Sequence, residues 1–124
     1  MVCDMIAGFL QQTSEDIWFV CEEQGQIISF GFCEPERMTN GTWNLLAIGV
    51  EPSSQAKGIG TQMMDYLEDK LAAQGACVLL VETTALDEQE KTREFYRKIG
   101  YVQEARIREF FEADTDKIVF WKHF

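Results

Sequence analysis

A short stretch near the middle of the chain constrains its fold more than any other feature. It runs from Val50 to Thr61 and reads Val-Glu-Pro-Ser-Ser-Gln-Ala-Lys-Gly-Ile-Gly-Thr. An apolar run ends at Pro52, which cannot donate to a strand ladder. Two glycines then open the segment with the clearest helical period in the sequence. The stretch therefore predicts a strand, a tight glycine turn and a helix in direct succession.

The predicted helix covers residues 58–74 and leads into a second apolar strand. Gly75 supplies a left-handed stop for it. Its apolar positions recur at helical spacing and are Met63, Met64, Leu67 and Leu71. The flanking segments, 43–50 and 77–82, are apolar for most of their length, which predicts strands and, for the first, helices on both faces. Together they predict a right-handed βαβ unit with parallel strands.

The rest of the chain predicts shorter elements around this unit. Asp87 with Glu90 three residues later indicates a capping box, and Gly100 indicates a helix end. The predicted elements are a helix at 4–12, a hairpin of strands at 17–21 and 26–33, a helix at 88–99, and strands at 101–111 and 117–124. We therefore expect one α/β domain over residues 1–124, with a mixed sheet and the order α-β-β-β-α-β-α-β-β.

Composition limits the kinds of partner. The 124 residues are 46% hydrophobic, which suffices for a buried core in one domain. With 21 Asp and Glu against 11 Lys and Arg, the net charge of -10 repels phosphate backbones and anionic lipids. No apolar run approaches the ~20 residues of a membrane span, and a signal-peptide pattern is missing. We expect a cytoplasmic protein with no nucleic-acid or membrane partner.

The cysteines predict free thiols. Cys3, Cys21, Cys33 and Cys77 are widely spaced and each lies among apolar residues, as is typical of buried cysteines in a reducing compartment. The predicted burial of Cys77 argues against an acyl-enzyme on that thiol. With His123 as the single histidine and no Cys-x-x-Cys, we expect no metal site.

The glycine turn is also a predicted anion site. The first backbone N–H groups of a helix have no intrahelical partner, and the helix dipole adds partial positive charge there. Gly58 and Gly60 allow close backbone approach, and Gln55 and Lys57 add an amide and a cation. Lys57 precedes its glycine and Met63 stands at the third glycine position, so neither the Walker A nor the Rossmann pattern is met. A nucleotide-binding domain that takes ATP or a dinucleotide stays open as an interpretation.

Two motifs in this topology resemble the GNAT superfamily of acyl-CoA-dependent N-acyltransferases. The family's loop, Arg/Gln-x-x-Gly-x-Gly/Ala, matches Gln-Ala-Lys-Gly-Ile-Gly at 55–60. Its second motif, an aromatic-Tyr pair before a helix-terminal glycine and an aromatic residue, matches Phe-Tyr-Arg-Lys-Ile-Gly-Tyr at 95–101. The resemblance covers nearly the whole chain and implies a sheet that splays between the strands at 43–50 and 77–82.

The resemblance implies acetyl-CoA as co-substrate, bound in the splayed sheet. Its pantetheine arm would pair with strand 43–50 as an added β-strand, and its pyrophosphate would lie on the glycine turn. The cofactor-binding residues that follow are Ile48, Gly49, Val50, Gln55, Ala56, Lys57, Gly58, Ile59, Gly60, Thr61, Thr92, Phe95 and Tyr96.

The implied reaction is direct acetyl transfer to a primary amine in a ternary complex. It needs a neutral amine, a donor for the oxyanion and an acid for the departing thiolate. Tyr96 matches the family's acid, although a tyrosine on a helix is also a common core residue. Adjacent helix positions point about 100° apart, so Tyr96 is expected on a different face from Phe95.

The position of the family's carboxylate base holds Asn44. An amide cannot accept a proton at neutral pH, but it can orient a water or the amine. Glu82, or Glu34 and Glu36 on the preceding turn, could relay the proton, although each is also an ordinary solvated residue type. A GNAT site can also work without a dedicated base.

Two alternatives follow from departures from the family pattern. Asn44 and the short N-terminus also suit a non-catalytic module that binds acetyl-CoA or CoA. The family normally begins with a strand and a helix before the helix predicted at 4–12, so the acceptor pocket could be open or completed by a homodimer partner, and a truncated chain would read the same. Thr83 and Thr84 could line the pocket. The acceptor, a small-molecule or peptide amine, is not identified.

Overall fold

The computed structural model describes residues 4–7, 15–55 and 58–124, which form one sheet and two helices. The strands are β1 (Asp4–Ala7), β2 (Ile17–Glu23), β3 (Gln26–Pro35), β4 (Thr42–Val50), β5 (Val78–Thr84), β6 (Val102–Glu112) and β7 (Thr115–His123). The helices are α1 (Ile59–Ala73), between β4 and β5, and α2 (Glu90–Lys98), between β5 and β6. Short 3-10 turns lie at Pro52–Ser54 and Asp87–Gln89.

The sheet of the described residues has seven strands in the order β1-β2-β3-β4-β5-β7-β6. β4 and β5 pair in parallel, and every other neighbouring pair is antiparallel. A parallel pair joined through α1 is the predicted βαβ unit. The mixed α/β fold is thereby confirmed, as are the hairpin of β2 and β3 and the closing pair β6 and β7.

The core lies between the two helices and one face of the sheet. α1 contributes its predicted apolar stripe, and α2 contributes Tyr96. The strand residues in the same cluster include Phe19, Cys33, Leu45, Leu79, Val81, Ile118 and Phe120. Within the part of the chain that the structure describes, both helices pack on one face, so neither of them covers the other face of β4 as predicted. The apolar run of β4 was misleading because its other face carries Asn44 beside small residues.

The sheet splays open between β4 and β5, as the resemblance implied. The two strands pair over Thr42–Leu45 and Val78–Val81 only, and both continue beyond that point. On its other edge β4 carries a β-bulge, since Phe32 pairs with Ala47 and the next residue of β3 pairs with Leu45. A bulge bends its strand and increases the local twist. The bulge residue, Leu46, is the first residue of β4 past the end of the ladder to β5.

The N-terminal prediction is wrong over the residues described there. Asp4–Ala7 form β1, antiparallel to β2, in place of a helix at 4–12. The remainder of that predicted helix, from residue 8 onward, lies outside the described residues. Pairing with the free edge of β2 outweighs a helical period carried by few apolar positions. The expected absence of an N-terminal strand is therefore also wrong.

The predicted capping box is not formed. Asp87 opens a 3-10 turn, α2 begins at Glu90, and neither start has a side-chain capping bond. Glu90 instead accepts a hydrogen bond from Arg93 at 2.7 Å. The Arg93 guanidinium also donates to the carbonyl oxygens of Thr84 and Leu86. A buried arginine thus holds the β5–α2 connection in place of the cap.

Two cysteine predictions are wrong. Cys21 is disulfide-bonded, and Cys77 is a free, exposed thiol in the connection before β5. Cys33 is free and buried as predicted, and burial raises the pKa of its thiol to about 12. Cys3 lies outside the described residues. The spacing of cysteines along the chain does not reveal which strands are neighbours, so it could not identify the bonded one.

Candidate active site

A cavity of about 200 Å³ occupies the gap between the diverging ends of β4 and β5. Its walls come from β4, β5, and the segment around α2, and consist of Leu45, Leu46, Ala47, Ile48, Val81, Glu82, Thr83, Gln89, Thr92 and Tyr96. A larger depression of about 560 Å³ lies at the opposite end of β4, around Thr42 and Trp43. It contains none of the predicted site residues, whereas the smaller cavity brings together several that are distant in sequence.

The glycine turn lies at the open end of this gap, directly after β4. Gly58 is the N-cap of α1 and adopts a left-handed conformation, with φ of 79°. A Cβ added there would meet nothing within 4 Å, so backbone conformation rather than space favours glycine at this position. The first bond of α1 runs from the Gln62 N–H to the Gly58 carbonyl at 3.1 Å. The N–H groups of 59–61 precede that bond, as at any helix start. Ala56 and Lys57 lie outside the described residues.

The two sequence motifs meet where α1 contacts α2. A Cβ at Gly60 would lie 3.1 Å from Cζ of Phe95, so a larger residue would push the ring away. Gln55, predicted to add an amide at the rim of the anion site, donates from Nε2 to the Val50 carbonyl at 3.1 Å. That bond ties the loop back to the end of β4. Phe95 therefore fixes the turn from the helix side and Gln55 fixes it from the strand side.

Tyr96 is both a core aromatic and a wall of the gap. Its side chain is only 2% exposed, and its ring packs against Phe120 and Tyr101 with centroids 5.8 and 5.7 Å apart. Phe95 is the less buried of the two and packs at the edge of the core. Burial raises the pKa of the Tyr96 phenol well above its usual range. The phenol therefore keeps its proton at physiological pH.

Asn44 is the centre of a polar cluster near the closed end of the gap. Its Nδ2 donates to Oε2 of Glu82 at 2.6 Å and to Oε1 of Glu36 at 3.2 Å. Lys117 of β7 places Nζ 3.0 Å from the same Glu82 oxygen. We call these four residues, Glu36, Asn44, Glu82 and Lys117, the polar cluster. The structure thus brings two of the three predicted relay carboxylates to Asn44, while the third, Glu34, pairs with it through the β3–β4 backbone register.

The polar cluster is unusual because two of its polar side chains, Asn44 and Lys117, are buried. Asn44 is 3% exposed and its Oδ1 has no hydrogen-bond partner. Lys117 is also buried, with Nζ 3.9 Å from the centroid of the Phe110 ring. A buried ammonium beside a carboxylate and an aromatic face holds the Glu82 side chain in one orientation. Sequence reasoning missed Lys117. The alternation of β7 places it on one sheet face, but its partner could not be read from that alternation.

The splayed parallel pair, the glycine turn at its open end and the tyrosine in its wall define a cleft suited to an acyl carrier. A family model described as "Acetyltransferase (GNAT) domain" matches residues 14–103. The chain belongs to this family of acetyltransferases. The family resemblance of the two motifs is thereby confirmed. Comparison with the curated proteins finds no match.

Solved structures share the fold over most of the chain. A protein assigned to the GNAT family from Desulfovibrio desulfuricans is 26% identical with a TM-score of 0.83, over 87% of this chain and 69% of its own. An aminoglycoside 6'-N-acetyltransferase complexed with coenzyme A is 23% identical with a TM-score of 0.80, over 90% of this chain and 74% of its own. A GNAT-family acetyltransferase from Elizabethkingia anophelis with acetyl-CoA bound is 14% identical with a TM-score of 0.84, over 98% of both chains. At such identities the last two show likeness of fold alone.

Two other kinds of site are absent from the described ranges. No helix there is long and apolar enough to cross a bilayer. No group of three or more His, Cys, Asp or Glu side chains in the same ranges could hold a metal ion.

Proposed function

We propose that the protein transfers an acetyl group from acetyl-CoA to a primary amine, directly within a ternary complex. The observation that carries this proposal is the gap between β4 and β5. Tyr96 and Glu82 line this gap although they are far apart in sequence. Asn44 donates a hydrogen bond to Glu82, and the chain continues from the open end of β4 to the N-terminus of α1. Two structures of this fold were determined with coenzyme A or acetyl-CoA.

The residues of the gap fit a coenzyme A molecule. Beyond Leu45 the edge of β4 that faces β5 has no ladder partner among the described residues. The backbone groups of Ile48, Gly49 and Val50 that point to that edge are therefore available to an extended pantetheine arm, except the Val50 carbonyl, which accepts from Gln55. At the open end, the N–H groups from Gly58 to Thr61 would hold the pyrophosphate. The further proposed contacts are Gln55, Ala56, Lys57, Ile59, Gly60, Thr92, Phe95 and Tyr96.

The proton chemistry falls to two residues on opposite walls of the gap. Acetyl-CoA supplies a thioester whose carbonyl carbon the amine nitrogen attacks and whose carbon–sulfur bond breaks. The nitrogen must lose a proton and the sulfur must gain one. Tyr96 donates to the sulfur as a neutral phenol. Glu82 is the carboxylate that takes the proton of the amine, directly or through a water, and Asn44 orients it with a 2.6 Å hydrogen bond.

The acceptor is expected to be cationic before it reacts. A primary amine is protonated in neutral water, and the polar cluster presents Glu36 and Glu82 beside the cleft. The net charge of -10 adds a long-range attraction for cations. Aminoglycosides, the acceptors named for one of the fold neighbours, belong to this chemical class. We therefore propose a small-molecule or peptide amine as acceptor.

Turnover with a set of amines tests the proposal. Purified protein would be incubated with acetyl-CoA and, separately, a polyamine, an aminoglycoside, an amino acid and a lysine-containing peptide. We expect release of free CoA thiol that depends on at least one amine, with an equal amount of acetamide product by mass spectrometry. Double-reciprocal plots of the initial rate should give intersecting lines when the concentrations of both substrates are varied. Binding of acetyl-CoA with no acetamide from any amine would indicate the non-catalytic module, and parallel lines would exclude direct transfer.

A further inference from the structure

The wall of the gap contains a hydroxyl group that the fold leaves unused. Thr83 lies on β5, two residues past Val81, where the ladder to β4 ends. Its side chain is 8% exposed, and its Oγ1 is fully buried with no hydrogen-bond partner. Thr83 lines the same cavity as Tyr96. A buried hydroxyl without a partner destabilises a fold, so its presence in a cleft calls for an explanation.

The local backbone provides a hydrogen-bond partner for the hydroxyl of Thr84 but not for that of Thr83. Thr84 accepts a hydrogen bond on Oγ1 from the Leu86 N–H at 3.3 Å, which is ordinary chemistry at a strand end. Side chains alternate along a strand, so Thr83 lies on the opposite sheet face from Thr84 and on the same face as Val81. That face carries the helices and Tyr96. The unpartnered hydroxyl is therefore on the cleft side of β5.

The shape of the gap indicates which part of an acyl donor would reach Thr83. The anion-binding turn at Gly58 follows the open end of β4, and the strands converge at Leu45 and Val81. A carrier held by its pyrophosphate at the turn therefore directs its reactive end toward the convergence. Two residues of strand span about 6.6 Å, which places Thr83 just outside the convergence. Tyr96, which must reach the sulfur, shares that wall.

We propose that the Thr83 hydroxyl donates a hydrogen bond to the carbonyl oxygen of the acyl thioester. This inference rests on the proposed function and adds a catalytic residue to it. As the amine nitrogen attacks, negative charge builds on the carbonyl oxygen, and a fixed donor there lowers the barrier. When the carbon–sulfur bond breaks, the electron pair on the oxygen re-forms the carbonyl double bond, and the negative charge leaves on the sulfur, which Tyr96 protonates. Thr83 changes no protonation state in this step, which separates its role from those of Tyr96 and Glu82.

The test compares Thr83→Val with Thr83→Ser. Valine keeps the branched shape and removes the hydroxyl, whereas serine keeps the hydroxyl. Thr115→Val is the matched control, since Thr115 is also 8% exposed on a strand but is not part of the cavity wall. Calorimetric titration would measure the affinity of each variant for acetyl-CoA and for CoA, which lacks the acyl carbonyl. Melting curves without ligand would show whether each variant folds.

We expect Thr83→Val to weaken acetyl-CoA binding by about threefold to tenfold, the worth of one hydrogen bond, with CoA binding changed less than about twofold. Its rate with a saturating amine should fall further, because the bond strengthens as charge develops. Its melting temperature should stay level or rise, since a buried unpaired hydroxyl is removed. Thr83→Ser and Thr115→Val should bind both ligands like the wild type.

Three results would overturn the assignment. An equal loss of CoA and acetyl-CoA affinity in Thr83→Val would place the hydroxyl on the pantetheine arm. Unchanged affinity and rate would show that the hydroxyl has no part in the site. A lower melting temperature with unchanged relative affinities would make its role structural. Failure of the wild type to bind either ligand is a separate outcome, which would reject the proposed function together with this inference.

Discussion

Replacing Tyr96 with phenylalanine should lower kcat by about two to three orders of magnitude, the usual worth of a general acid. Phenylalanine preserves the ring packing against Phe120 and Tyr101, so the fold should be retained. The hydroxyl that is lost is neutral at physiological pH because burial raises the phenol pKa. Acetyl-CoA affinity should change by less than about threefold, because the acid acts on the leaving group. Steady-state kinetics with the best amine and calorimetry with acetyl-CoA would measure both quantities.

Tyr101→Phe is the matched control for that variant. Tyr101 is also buried, but its hydroxyl donates to Oε2 of Glu68 at 2.7 Å and is used within the fold. Lys122 donates to the other oxygen of the same carboxylate. We expect a lower melting temperature and a nearly unchanged kcat for this variant. A similar loss of kcat in both variants would show that the rate depends on packing around α2, and an active Tyr96→Phe would exclude the tyrosine as acid.

Replacing Glu82 with glutamine should lower kcat/KM by about two orders of magnitude. The amide keeps the size of the side chain and can accept the hydrogen bond of Asn44, but it cannot take a proton from an amine. The change also leaves the buried Lys117 without its carboxylate partner, which is costly in itself. Loss of activity in the single variant could therefore have either origin. The measurement is kcat/KM for the amine at saturating acetyl-CoA.

A double variant separates the two origins. Glu82→Gln combined with Lys117→Met removes both charges of the ion pair and should recover most of the lost melting temperature. It should not recover kcat/KM if Glu82 is the base. Glu36→Gln is a further control, because Glu36 also accepts from Asn44 but at 3.2 Å. We expect it to raise the KM of the amine a few-fold and to leave kcat almost unchanged. Recovery of the rate in the double variant would reduce Glu82 to a structural residue.

Local sequence signals predicted most of the architecture. The period of Met63, Leu67 and Leu71, bracketed by Gly58 and Gly75, specifies α1 without reference to the rest of the fold. An apolar strand on each side then requires the βαβ unit. The errors occur where pairing is non-local. β1 forms because β2 offers a free edge, and the disulfide at Cys21 depends on which strands are adjacent.

In the candidate site, too, the local motifs were predictable from the sequence and the non-local contacts were not. The glycine turn and Tyr96 lie in short motifs that can be recognised from consecutive residues. The contact between Asn44 and Glu82 spans 38 positions and depends on the β4–β5 register, in which Asn44 pairs with Leu80. That register places Glu82 on the same face as Asn44, two residues further along. Both residues were named from the sequence, but the Glu82 carboxylate could not be placed against the Asn44 amide. The prediction that β4 and β5 are parallel does not say which residues of the two strands lie opposite each other.

The glycine turn also provides the matched variants for a direct test of coenzyme binding. Gly58 and Gly25 have nearly the same positive φ, 79° and 81°, and an added Cβ meets nothing within 4 Å at either. Gly25 lies in the β2–β3 hairpin turn, away from the gap. Glutamate at either position therefore carries a similar conformational cost, but only at Gly58 does it bring a carboxylate to the proposed pyrophosphate site.

Calorimetric titration of the wild type, Gly58→Glu and Gly25→Glu with acetyl-CoA, CoA and ATP tests the central claim most directly. We predict that the wild type and Gly25→Glu bind acetyl-CoA and CoA alike, with ATP much weaker. Gly58→Glu should bind both coenzymes about a hundredfold more weakly, because its carboxylate repels the pyrophosphate at close range. A folded wild type that binds neither coenzyme, or that prefers ATP, would contradict the assignment of the splayed sheet as an acyl-CoA site. Equal binding by Gly58→Glu and Gly25→Glu would contradict the placement of the pyrophosphate on the turn.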